Sequence, residues 1–392
     1  MRLLKNLKMG VAPLMIALLL CCISCKKSEP DHTPDAGSLK KNLQTDTLSD
    51  YTSDSPYNLN VIYFIGKDRT PDSAYQQRIS SYMLQCQDFY RTWMDKNGYG
   101  KITFGLLKNS ADLIKITTIT GVNDQAYYVS AKSGVIRSEV DAYFAAHPLE
   151  KTSQTLLMIM GCKDHDDANG RAFFGSVGGN YCYAVDYPTM FEDAKAGKTA
   201  YVGGLFHELG HGLGLAHNGG LKTDCAVNGT SLMGSGNTSY LKSPTFLTLA
   251  DCATLYNNQC FSTTVKTGWY VTPSTAISRI HAKVENNTII VSGKYTSNAT
   301  VNSLNFYNDP GTYDANGNIQ NIGVNLDYDT SVWTKPPVSV DSFYVAMPFS
   351  EFRANHDGPY QLRIRLQQVN GSFQTKSYNY KVVGGTPVFD LP

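Results

Sequence analysis

An excess of charge is missing from this 392-residue chain: Lys and Arg number 34 against 33 Asp and Glu. That near balance argues against the basic footprint of a nucleic-acid-binding surface and against a polybasic patch on anionic lipid, so no nucleic-acid partner is expected. An apolar run long enough to cross a bilayer with ease is also missing; the sustained run from Val11 to Ile23 falls short. No two of the six cysteines beyond Cys25 stand in C-x-x-C spacing, which excludes a zinc knuckle. From Lys26 to about Pro56 apolar periodicity is absent and Ser, Thr, Asp and Pro recur, the composition of a disordered tether.

What is present centres on His207-Glu208-Leu209-Gly210-His211-Gly212-Leu213-Gly214-Leu215-Ala216-His217, which reads H-E-x-x-H-x-x-G-x-x-H. His207 and His211 share one helix face, one turn apart, and can hold one metal ion. Glu208, beside the first ligand, is placed to act as general base on a water. A third ligand on the same side requires the chain to turn back, and Gly214 can do so because glycine accepts positive φ without steric cost. His217 then completes a three-histidine set with a fourth position open, the layout of a catalytic zinc rather than a closed structural one.

The motif resembles the metzincin clan of zinc peptidases. The resemblance implies a Met-turn in Ser231-Leu232-Met233-Gly234, with Met233 beneath the three histidines. Asn218 follows the third histidine, where clan members carry Ser, Asp, Glu or Pro. Ser235 stands where two branches carry a tyrosine, so no tyrosine ligand is expected. No cysteine lies in the tether after Cys25, so the cysteine-switch latency of the matrixin branch is absent.

Arg2, Lys5 and Lys8 precede the apolar run, which ends in Cys22-Ile23-Ser24-Cys25. A small residue directly before a cysteine resembles a bacterial lipoprotein cleavage site. It implies a signal peptide over 1–24, a lipid on Cys25 and a tether over 25–56. It also implies membrane attachment through that lipid, at the outer membrane or surface of a bacterial cell envelope. Cys86, Cys162, Cys182, Cys225, Cys252 and Cys260 remain. An even number in an oxidising compartment allows up to three disulfides, Cys162 with Cys182 and Cys225 with Cys252 or Cys260 by proximity. The alternative is that some, Cys86 among them, are small buried residues.

A catalytic domain is expected over 57–270. Asn58–Gly66, Ile102–Leu107, Leu113–Thr118 and Thr155–Gly161 read as strands. Thr70-Pro71 is expected to open a long helix stopped at Gly98, and a second helix runs from about Gly134 to Ala146. This α/β order resembles the N-terminal part of metzincins. Lys163–Gly170 is an acidic turn; calcium there is possible but unsupported, and a solvated turn is favoured. Arg171–Val177 and Tyr181–Asp186 read as strands, one an edge for extended substrate. The motif helix is expected from near Thr199, and Thr248-x-x-Asp251 to cap a last helix through Tyr256.

Over 277–392 helical periodicity gives way to alternation. Ile280–Val284, Thr288–Gly293, Val301–Tyr307, Val324–Tyr328, Phe343–Met347, Tyr360–Gln367 and Phe373–Val382 are the expected strands, with turns at Asn286-Asn287 and Asn370-Gly371. Gly358-Pro359-Tyr360 resembles a tyrosine corner, and the whole resembles an immunoglobulin-like sandwich, expected to be a spacer or cap. The layout looks like that of the zinc-dependent metalloproteinase lipoproteins of bacteria. It implies a monomeric endopeptidase with one catalytic zinc, acting on extracellular proteins or peptides. The alternatives are a surface binding or adhesion lipoprotein that uses the fold as a scaffold, and a peptidase specialised for glycoproteins.

Overall fold

The structure, a computed structural model, describes residues 50–197, 201–323, 326 and 328–389. The expected signal peptide, Cys25 and most of the tether lie outside the described residues. Residues 50–56, grouped with the tether by composition, are already packed. Tyr51 is only 7% exposed, and Thr52 exchanges backbone hydrogen bonds with Lys108.

Two unbroken apolar runs make the middle of the first sheet. β1 (Asn60–Ile65) and its neighbour Leu156–Gly161 are buried along their whole length, as strands covered on both faces must be. With β2 as Ile116–Thr120, β3 as Leu156–Gly161, β4 as Phe174–Ser176 and β5 as Tyr181–Asp186, the order is β2-β1-β3-β5-β4. All pairs are parallel except β4, an edge strand antiparallel to β5. Helix α1 (Tyr75–Lys96) buries Ile79, Tyr82, Met83, Cys86, Tyr90, Trp93 and Met94, and α2 (Ser133–Ala146) buries Ile136, Val140 and Phe144. These stripes follow the spacing of one helix face.

Three local expectations are corrected. Helix α1 does not begin at Thr70-Pro71. The Asp72 side chain takes the Ala74 N–H at 2.7 Å and its carbonyl takes the Tyr75 N–H at 3.1 Å, so the first turn forms there. Ile102–Leu107 is not a strand. Gly105 forms one isolated bridge to Asn58, accepts the Leu59 N–H at 2.9 Å just before β1 and gives its N–H to the Cys260 carbonyl, so pairing with the sheet stops at a single residue. No disulfide joins the described cysteines: Cys162–Cys182 and Cys225 with Cys252 or Cys260 are not formed. Five of the six are buried as small apolar residues in different parts of the core; the Cys252 thiol meets the Trp93 carbonyl, and the Cys260 thiol meets the Ser153 hydroxyl.

Beyond the first sheet come the motif helix Tyr201–Gly212, packed on β5 and β4, and the last helix Leu249–Tyr256. Thr248 and Asp251 form a reciprocal capping box at the start of the latter. The C-terminal part consists of two antiparallel sheets. One has the order Ser331–Lys335, Val301–Pro310, Gly358–Gln368, Phe373–Val383, Thr386–Phe389; the other has Ser342–Pro348, Thr288–Ser297, Thr275–Glu285. Their facing apolar side chains, including Ile289, Val291, Leu304, Phe306, Val345 and Leu362, share one core. Asn286 and Asn287 both have positive φ, as a two-residue hairpin requires. Of the expected strand Val324–Tyr328, the described residues Leu326 and Tyr328 lie in turns; the strand in this part of the chain is Ser331–Lys335, paired with Val301–Pro310.

The two parts are not beads on a string. Asn305 Nδ2 donates to the Ala250 carbonyl at 3.1 Å, and Gln367 Nε2 to Thr254 Oγ1 at 2.7 Å. Ala216 and Ala250 from the first part form a small buried cluster with Tyr307 and Val332 from the second. Apolar closure flanked by buried hydrogen bonds is the signature of a fixed interface.

Candidate active site

His207 and His211 project from one face of the Tyr201–Gly212 helix, and Gly214, at φ +100°, turns the chain so that His217 comes back beside them. Their Nε2 atoms lie 3.1 Å (His207–His217), 3.1 Å (His207–His211) and 3.0 Å (His211–His217) apart. Among the described residues they form the one cluster of three or more metal-capable side chains. The opposite nitrogens of two rings are committed: His207 Nδ1 donates to the Leu232 carbonyl at 2.6 Å, and His211 Nδ1 to the Leu215 carbonyl at 2.8 Å. Burial holds both rings neutral, pushing His207 down to about 4 and His211 well below the usual histidine range. With the proton on Nδ1, the Nε2 lone pairs face one another at about hydrogen-bond distance with no proton to share. Such a donor set fits a divalent metal ion, and the backbone acceptors behind the rings fix their tautomer and aim.

Glu208 sits one residue along, partly exposed. Its carboxylate accepts the Gly175 N–H; burial pushes its pKa up to about 8, and that hydrogen bond holds it down. Gly175 is the middle residue of β4, and only glycine fits there. A Cβ would lie 2.3 Å from the Glu208 carbonyl oxygen and 2.4 Å from His211 Cβ. The edge strand therefore touches both Glu208 and His211.

Met233 is fully buried against the motif helix, with its sulfur 2.6 Å from where a Cβ on Gly210 would stand. Its carbonyl accepts the Asn218 N–H at 3.1 Å. Asn218 is also buried, and its Nδ2 donates to Asp251 Oδ1 at 2.8 Å. The other Asp251 oxygen closes the capping box. One chain of hydrogen bonds thus joins the residue after His217, the turn at Met233 and the last helix. Burial pushes Asp251 up to about 6, and the bonds from Thr248 and Asn218 hold it down.

Ser235 is exposed and no tyrosine comes from the Met233 turn. The aromatic ring at the site comes from the C-terminal sheets: Tyr328 lies 4.1 Å from the His217 ring, centroid to centroid. Arg365, fully buried on the strand Gly358–Gln368, donates from Nη1 to the Gly214 carbonyl at 2.9 Å and stacks on Phe373. Gly175, Tyr328 and Arg365 are missed by sequence reasoning. Each reaches the site from another element, and none has a spacing relative to the motif that a local pattern could carry. The acidic turn contributes no metal cluster among the described residues. It holds a short helix, His165–Ala168, capped by Asp164, and Asp167 is engaged by Arg171 at 2.6 Å.

No protein-family profile matches the chain, and no curated protein matches it. Solved structures do. Wild-type OgpA from Akkermansia muciniphila is 31% identical, with a TM-score of 0.75 over 89% of this chain and 97% of that one. Catalytically inactive OgpA, crystallised in complex with an O-glycopeptide (glycodrosocin) substrate, is 30% identical, with a TM-score of 0.76 over 91% of this chain and 99% of that one.

Proposed function

The chain belongs to the OgpA family, and from that premise we propose that it is a zinc-dependent endopeptidase that cleaves O-glycosylated proteins. The observation that carries this reading is the convergence of three buried imidazoles, His207 and His211 among them held neutral by burial, beside Glu208. His207, His211 and His217 would hold the zinc, which would supply Lewis acidity, lowering the pKa of water and polarising a carbonyl. Glu208 takes the proton of the attacking water and returns it to the leaving amine. The Gly175 N–H orients the Glu208 carboxylate, Met233 supports the helix turn beneath the ligands, and Gly214 sets the angle at which His217 enters. An extended peptide laid along β4 passes next to Glu208, as added-strand recognition requires. The choice of an O-glycopeptide as substrate is supported by the ligand in the OgpA complex.

The same reading assigns the first part, over 57–270, a metzincin-type fold, supported by the Gly214 turn and the buried Met233. It assigns 277–392 an immunoglobulin-like sandwich, supported by the Tyr360 hydroxyl, which donates back to the Ala354 and His356 carbonyls. A signal peptide over 1–24 and a lipid on Cys25 would attach a monomer to the bacterial envelope; a Cys25→Ser chain that still partitions with membranes overturns the anchor.

The test is cleavage of an O-glycopeptide and of the same peptide without its glycan, by the wild type and by Glu208→Ala, with mass-spectrometric mapping of products. The glycosylated peptide is cut by the wild type and not in the presence of a chelator. Glu208→Ala keeps its zinc by elemental analysis but loses about 10²–10⁴-fold in turnover. Undiminished cleavage by Glu208→Ala sinks the assignment of the base, and equal cutting of both peptides sinks the substrate class.

A further inference from the structure

A crevice of about 420 Å³ opens where the last helix meets the C-terminal sheets. None of the residues that line it belongs to the histidine site. Tyr99, Leu249 and Tyr256 supply its apolar surface, and Asn302, Ser303 and Thr334 its polar surface. Leu249 and Tyr256 lie two turns apart on one helix face and are 44% and 49% exposed. The Tyr256 ring is held in place by Tyr99, with centroids 5.2 Å apart and planes at 41°. The polar side depends on a bulge. Val301 faces Gln368 and Ser303 faces Gln367, so Asn302 is an extra residue in its strand. Neighbours on a regular strand point to opposite faces, yet Asn302 and Ser303 both line the crevice. Asn302 Nδ2 donates to Asn257 Oδ1 at 3.0 Å, which fixes the amide and leaves Oδ1 to accept. Thr334 Oγ1 gives its proton to Asn305 Oδ1 at 2.9 Å and keeps its lone pairs. Ser303 is 6% exposed, and its hydroxyl has no hydrogen-bond partner among the described residues. One step between staggered χ1 positions turns that hydroxyl toward a bound group.

We propose that this crevice is a second sugar-binding site, which holds a neutral sugar ring of a glycan carried elsewhere on the substrate than at the bond being cut. The proposal takes the source of the sugar from the O-glycoprotein peptidase reading, and its chemistry from the crevice alone. A pyranose has an apolar face of C–H groups and a belt of hydroxyls. It matches a fixed aromatic ring set beside a few uncharged donors and acceptors. No lining residue is charged, so the crevice cannot select a phosphate, a carboxylate or a basic side chain by pairing. Nor does an added peptide strand fit. The nearby strand Ser331–Lys335 is an edge, but it runs into Pro336-Pro337, which have no N–H to give. Holding one glycan while another part of the same chain lies in the active site makes the second contact intramolecular. Affinity for densely glycosylated protein then rises without any change in the chemistry.

Tyr256→Ala removes the ring and Ser303→Ala the hydroxyl. On an O-glycopeptide with a single glycan, both variants keep the wild-type kcat and KM. On a mucin carrying many O-glycans, KM rises about ten-fold in each variant and kcat is unchanged. Ser303→Ala melts at or above the wild-type Tm, because the hydroxyl it loses has no partner. Binding is read separately from cleavage, by saturation-transfer NMR of methyl galactoside with the Glu208→Ala protein. Adding Tyr256→Ala weakens that signal. Equal KM on mucin for the wild type and both variants overturns the proposal, and so does an NMR signal that Tyr256→Ala leaves unchanged. A fall in kcat on the single-glycan peptide overturns it too, because the crevice would then act on the active site itself. If the wild type cuts no glycosylated substrate, the peptidase reading fails, and the NMR signal alone decides the sugar site: its loss in Tyr256→Ala upholds the site, and its persistence ends it.

Discussion

A methyl group added at residue 175 would be 2.3 Å from the Glu208 carbonyl oxygen and 2.4 Å from His211 Cβ. Gly175→Ala must therefore push β4 away from the motif helix or tilt the helix itself. Overpacking of this kind costs about 1–3 kcal/mol, and the displaced N–H no longer holds Glu208. The expected outcome is a lower Tm together with a kcat loss of about ten-fold or more; full turnover on an O-glycopeptide would show that β4 does not position the base. At this scale the clustering of the three histidines was legible, because the spacing of His207, His211 and Gly214 is itself the geometry of a helix and a turn. Gly175 was not, because one glycine in a short strand gives no sign of what packs on it.

Among the elements, the capping box at Thr248 and Asp251 was readable from T-x-x-D, but its second task was not. Asp251 also anchors Asn218, and through it the turn at Met233. This gives a pH dependence with a definite sign. Burial raises the folded-state pKa to about 6 from an ordinary value of 3.8, so the folded chain binds the proton more tightly than the unfolded chain does. The contribution of Asp251 to stability is fully present below pH ~4 and is lost as pH rises through ~6, by roughly 2–3 kcal/mol. Urea melts of the wild type and Asp251→Asn at several pH values should thus diverge in slope: the difference between them moves toward the variant between pH 4 and 7. A constant difference would show that Asp251 does not titrate in that window. The buried runs of β1 and β3 and the apolar face of α1 were legible because continuous or helical apolar patterns fix an element without reference to partners. Ile102–Leu107 and Val324–Tyr328 misled for the opposite reason. A strand exists only if a neighbour takes its backbone, and those neighbours are set by the fold.

For the whole molecule, the C-terminal part, expected to be a spacer or a cap, packs directly on the elements around the histidines. Arg365 holds the Gly214 carbonyl, Gln367 and Asn305 bond to the last helix, and Tyr328 sits on His217. Removing the second part would uncover Ala216, Ala250 and Thr254, which are buried, and leave the Gly214 carbonyl without this partner. The full chain should unfold in one calorimetric transition, and a chain ended after Val271 should show none. A truncated form with its own cooperative melt and bound zinc would prove the parts independent. The contact between Arg365 and Gly214 joins residues 151 positions apart, with the arginine later in the chain. A polypeptide still leaving the ribosome carries all three histidines and Glu208 well before it carries Arg365. The Gly214 turn therefore gains this partner only once the final strands have been made.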